Sequence, residues 1–257
     1  MIRNKIPCFK RGEILDSQLL ENLRNTPYEF YSLAYYNYPN GIISGLDIYA
    51  DKSKLTIKPG IVKFNNFYYR IDKEIIIDIP LEDGDYILKI NFFPEKLVNL
   101  EKYYEYALEF ELNLEEIECK NQIELARIKR REGAEIRNID EFYGIEKEYN
   151  IVSEINKPLS TISGVMISND IMKMFAKKVL ERKETEAIDD SVCINILSNN
   201  FSRESIDLYI LKKIGIDSSN STNRELYEYL SKIYLNLKDN RKSKANRIIT
   251  KNRMIVE

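Results

Sequence analysis

The sequence predicts an α+β protein with N-terminal helices, a central antiparallel β-sandwich or barrel, and a C-terminal helical domain. Three observations predict it. Apolar residues recur at helical spacing before residue 38, with two sets of helix-start residues among them. Between residues 39 and 150, short apolar runs alternate at period two and are divided by Gly, Pro and Asn turns. From residue 151 the helical period returns. Short strands at a spacing of about 8–12 residues, with turn residues between them, are the signature of an antiparallel sandwich or barrel.

The first segment, residues 1–38, reads as a helical docking element. Asp16 caps a short helix that carries Leu19, Leu20 and Leu23. A second helix restarts at TPYEFYSLAYYNY, with Thr26 at the N-cap, Pro27 in the first turn and Glu29 closing a capping box. Phe30, Leu33 and Ala34 form its inner stripe, surrounded by Tyr28, Tyr31, Tyr35, Tyr36 and Tyr38. Such tyrosines serve equally as a half-buried helix face or as a partner surface, since tyrosine offers large contact area at low entropic cost.

The β region, residues 39–150, opens with YPNGIISGLDI. Gly41 belongs to a turn, and Gly45 interrupts the first strand as a bulge or a close backbone approach. KLTIKPG alternates and turns at Pro59 and Gly60, and IVKFNNFYYRI pivots on Asn65 and Asn66 as a two-residue hairpin. KEIIIDIPL, DYILKINFF, ALEFELNLEE and QIELARIKRREG follow, the last turning at Gly133. In the helical region, residues 151–240, three helices are expected: SNDIMKMFAKKVLERKE, RESIDLYILKKI (Ser202 to Gly215), and a segment begun by Thr222 and Glu225. Residues 241–257 read as a basic arm or edge strand.

Composition bounds the chemistry. With 44% hydrophobic and 31% charged residues and a net charge of -2, the chain reads as globular, with no general bias towards nucleic acid or an anionic membrane. There is no signal-like N-terminus, which places synthesis in the cytoplasm, and no apolar run reaches the about 18 residues of a membrane span. The 3 cysteines read as small buried hydrophobes. Histidine is absent, which removes every histidine-based triad and nearly every zinc site. No phosphate-binding loop, dinucleotide fingerprint, nucleophile elbow or calcium loop occurs, and Asp189-Asp190 reads as a turn. No catalytic residue, metal ligand or cofactor is therefore expected. The carboxylate doublets Glu115-Glu116 and Asp140-Glu141 leave a carboxylate-based glycan hydrolase as one alternative, and the basic residues after 240 leave a nucleic-acid binder as another.

The run GIISGLDI, then LTIKPGIVKFNNFYYRI, then IELARIKRREGAEIRNIDEF resembles baseplate and tail-fibre-attachment proteins of contractile-tailed phages and phage-tail-like bacteriocins. RGEILDSQLLENLRNTP is similar to the N-terminal helix of such proteins in Gram-positive tail modules, so the resemblance spans roughly residues 10 to 145. It implies a structural adaptor without catalysis, joining a tail fibre or receptor-binding protein to the baseplate wedge. It also implies a homo-oligomer, trimer or ring, released by lysis in a virion or tail-like particle. No repetitive shaft follows residue 150, which favours an adaptor over a receptor-binding fibre. A protease-sensitive junction is expected at residues 145–160.

Overall fold

The computed structural model describes residues 8, 11–12, 16–93, 96–98, 103–117, 120–182 and 185–251. The chain forms two compact units, residues 1–38 and 39–257. The first contains α1 (Ser17–Ala34). The second begins with β1 (Gly41–Gly45), β2 (Ile48–Asp51), β3 (Lys54–Ile57), β4 (Gly60–Phe64), β5 (Phe67–Ile71) and β6 (Ile75–Asp78). It continues with β7 (Gly84–Phe92), β8 (Lys96–Val98), β9 (Tyr103–Glu105), β10 (Leu108–Asn113) and β11 (Gln122–Arg130). After a 3-10 turn at Ile145–Lys147 come β12 (Leu159–Thr161), β13 (Gly164–Met166), α2 (Asn169–Leu180), α3 (Ala187–Leu197), α4 (Arg203–Ile214) and α5 (Asn223–Lys251). The protein is thus α+β, with several antiparallel sheets and a helical C-terminal part.

Three sheets share one apolar core. Their strand orders are β13-β12-β1-β4-β5, β10-β7-β11 and β2-β3-β6. Inward residues alternate along β7, where Tyr86, Leu88, Ile90 and Phe92 enter the core. Phe64 of β4 stacks on Phe92 at 4.0 Å between ring centroids, and Tyr69 of β5 meets the same ring edge-on at 5.0 Å. Asn65 and Asn66 both take positive φ, 47° and 66°, as the tight hairpin between β4 and β5 demands.

A second core lies among the helices. Ile171, Phe175 and Val179 of α2 meet Ile206 and Ile210 of α4 and Leu226, Leu230 and Ile233 of α5. Ser168 caps α2, and Gly215 ends α4 in the left-handed conformation. The bundle has a further helix, α3, where Asp189-Asp190 was expected to turn. Glu186 and Asp189 close a capping box, so the acidic pair marks a helix start.

Residues 151–166, expected at the start of the helical region, instead return to the sheet. β12 pairs in parallel with β1 and antiparallel with β13. The expected junction at 145–160 accordingly contains buried Ile151, Val152, Ile155 and Lys157. Alternation was too brief there to signal strands, and the partner strand lies more than a hundred positions earlier. The expected basic arm is also different: residues 241–251 continue α5 as helix. Residues 252–257 lie outside the described residues.

Candidate partner-binding surfaces

In α1, Asp16 accepts a hydrogen bond from the Leu19 N–H at 2.7 Å, the N-cap its position predicts. The second start, at Thr26, does not occur. Pro27 sits inside one continuous helix, and the Thr26 hydroxyl donates one turn back to the Asn22 carbonyl at 2.7 Å. Continuity has a clear benefit. Leu19, Leu23, Phe30 and Ala34, with Leu20, Pro27 and Tyr31 beside them, follow i, i+3, i+4 spacing and make a single apolar stripe. No residue of α1 is buried, and Phe30 and Leu33 are 69% and 78% exposed.

The five tyrosines divide into two groups. Tyr28 and Tyr31 lie within α1, half exposed. Tyr35 is its C-cap, packed edge-on against Tyr38 at 5.1 Å, and Tyr36 projects beyond the helix end. The sequence singles out these tyrosines as the partner surface. The geometry puts Leu20, Leu23, Phe30 and Leu33 at equal rank, a signal already present in their spacing.

The glycines of the opening motif are packing devices. A Cβ on Gly45 (φ 71°) would lie 2.2 Å from the Pro59 carbonyl oxygen, and one on Gly60 would lie 2.6 Å from that of Ser44. β1 and β4 pair antiparallel with Gly45 opposite Gly60, and the backbones approach so closely there that neither position admits a side chain. A Cβ on Gly41 would meet the Pro158 carbonyl oxygen at 2.8 Å, where the strap before β12 passes. Gly133 (φ 90°) is an open turn.

Buried polar groups elsewhere form closed sets. Lys157 donates to the Leu46 carbonyl at 2.7 Å and to Glu154 at 2.5 Å. Burial raises the pKa of Glu154, against the pull of Lys157. Arg203 donates to Asp207 and to the carbonyls of Val165, Ser218 and Ser221, fastening β13 to α4 and to the turn before α5. Asp189, fully buried, accepts from the Tyr209 hydroxyl at 2.8 Å and Lys213 at 3.0 Å. Burial, then the bond to Asp189, pushes the Tyr209 phenol upward. Cys193, beside this group, is buried and its thiol is pushed up to about 12, so it is a poor nucleophile. Cys8, by contrast, is exposed, correcting its expected burial, and Cys119 lies outside the described residues.

The acidic doublets do not converge as carboxylate pairs. Glu116 forms a fork with Arg127 at 2.8 and 3.0 Å, which holds its carboxyl below the usual range, while Glu115 faces Lys89 at 3.9 Å. Asp140 pairs with Arg137 at 3.0 Å and Glu141 with Lys178 at 3.0 Å. A cleft of about 120 Å³ lies between β11 and the 3-10 turn, where Glu124, Glu146 and Glu148 each face an arginine. Among the described residues, no three His, Cys, Asp or Glu side chains converge as a metal site requires, and no helix is long and apolar enough to cross a membrane.

No family model matches the chain, and no curated protein matches it. Among solved structures, a crystal structure of TssK aligns over 91% of this chain and 68% of its own, at 9% identity and a TM-score of 0.37. Likeness at that level carries no argument about fold or function.

Proposed function

We propose that the chain is a structural baseplate component of a contractile tail or tail-like particle, an adaptor that links a fibre or receptor-binding protein to the wedge without catalysing a reaction. The observation that carries this reading is α1. It is an amphipathic helix belonging to its own compact unit, with a continuous apolar stripe and no buried residue. Monomeric proteins rarely leave such a stripe bare, and a helix laid into an apolar groove is a standard mode of attachment. The motif GIISGLDI to LTIKPG is consistent with a structural role, because Gly45 and Gly60 let β1 and β4 pair at close range. The groove that receives α1 belongs, in this reading, to the neighbouring wedge subunit.

The test is particle incorporation. Tail particles from cells producing the wild-type chain should contain it after sedimentation. A Leu23→Glu/Phe30→Glu variant should fold normally and stay in the supernatant. A wild-type chain that never sediments with particles would remove the reading.

A further inference from the structure

α4 is apolar on two sides. Ile206, Tyr209 and Ile210 enter the helical core, while Leu208 and Leu211 face outward at 60% and 46% exposure. A helix apolar on both sides belongs between two layers, and only one is present within the described residues. The outward leucines floor an open groove of about 390 Å³, bounded by Ser163 in the β12–β13 turn and by Glu204, Asp207 and Asp217. Ile162, beside Ser163, is also exposed. Asp207 is neutralised by Arg203, so Glu204 and Asp217 give the rim its negative character.

The same chain carries a segment of matching chemistry. Among the described side chains of α5, Leu237 is the last in the core. The helix continues through Lys251, and residues 238–251 carry Lys238, Arg241, Lys242, Lys244, Arg247 and Lys251 against the single acid Asp239. Ile248 and Ile249 supply an apolar pair. These 14 residues span about 21 Å of helix, and the 12 residues of α4 span about 18 Å. We propose that the basic end of α5 from a second copy of the chain lies in the α4 groove, against Leu208 and Leu211 and between Glu204 and Asp217. Charge sets the direction and partner of this contact, and the leucines supply the area. It is independent of α1 and adds a copy-to-copy joint to the wedge contact.

Sedimentation velocity on the full-length chain tests it. Wild type should sediment as a dimer or larger, and weaken as salt rises. A groove variant, Glu204→Lys/Asp217→Lys, and a tail variant, Arg241→Glu/Lys244→Glu, should each raise the dissociation constant roughly tenfold or more. An equimolar mixture of the two should reassemble, because one copy's basic groove then meets the other's acidic tail. Circular dichroism shows whether each variant is folded, and Leu208→Asn/Leu211→Asn gives a second, uncharged disruption. A monomeric wild type at low salt would overturn the proposal, as would assembly unchanged in all variants. So would salt-sensitive binding of the monomer to a duplex DNA oligomer, lost in the tail variant, which would assign the basic helix to nucleic acid.

Discussion

Replacing Lys157 by Met should unfold the protein more readily than its place before a short strand suggests. The side chain is 6% exposed and that of its partner, Glu154, 9%. Its ammonium ties two segments 111 positions apart, through the Leu46 carbonyl. Methionine preserves much of the volume but leaves the Glu154 carboxylate buried without its cation, which costs about 3–5 kcal/mol. In a chain of this size that corresponds to a fall in melting temperature of roughly 6–20 °C. The double variant Lys157→Met/Glu154→Leu removes the stranded charge. It should recover most of the loss, leaving about 1–3 kcal/mol for the undonated Leu46 carbonyl. The single variant should also be pH-dependent. Burial already raises the Glu154 pKa, and losing Lys157 raises it further, so the folded state binds a proton that the unfolded state releases. The defect should therefore shrink as pH falls through that raised pKa and be full above it. Urea unfolding followed by tyrosine fluorescence and far-ultraviolet dichroism measures this, since the chain has no tryptophan. A loss below about 1 kcal/mol, or a double variant as unstable as the single, would refute the reasoning.

Four further outcomes follow. Gly45→Ala should be among the most damaging small substitutions, costing about 3 kcal/mol or more by the same unfolding assay, because its Cβ would sit 2.2 Å from a backbone oxygen at positive φ. Gly133→Ala, in open space, should cost only the left-handed strain, about 1–2 kcal/mol. Glu225→Gln should flatten the acid side of the stability–pH curve: the Thr222 N–H holds the Glu225 pKa down, so its contribution is present above the unfolded carboxylate pKa and is lost as pH falls through the folded one. In peptide mapping after brief exposure to a thiol reagent, Cys8 should be labelled and Cys193 should be labelled only after unfolding; rapid labelling of Cys193 in the folded chain would contradict its burial.

Local chemistry made much of the fold legible. The Asn65-Asn66 hairpin, the β7 alternation, the Ser202 cap and the Gly215 terminator each rest on residues within a few positions of one another. What was hidden depends on distant or conflicting signals. α3 reads AIDDSVCINIL, with apolar residues on every side, so no helical stripe stands out. β12 is 3 residues long and is stabilised by a parallel neighbour, β1. At Pro27 the local rule favoured a new helix start, and the longer-range stripe from Leu19 to Ala34 prevailed. The candidate surface was half legible: the tyrosines stood out by number, whereas helical spacing marks Phe30 and Leu33 as apolar positions without saying whether they are covered or exposed.

The central claim, attachment through α1, is tested most directly by cross-linking mass spectrometry on sedimented tail particles. The account predicts cross-links from residues of α1, such as Glu21 and Glu29, to one neighbouring baseplate protein, lost together with incorporation in the Leu23→Glu/Phe30→Glu variant. Particles that contain the chain while α1 cross-links to no neighbour, and that still incorporate the variant, would contradict it.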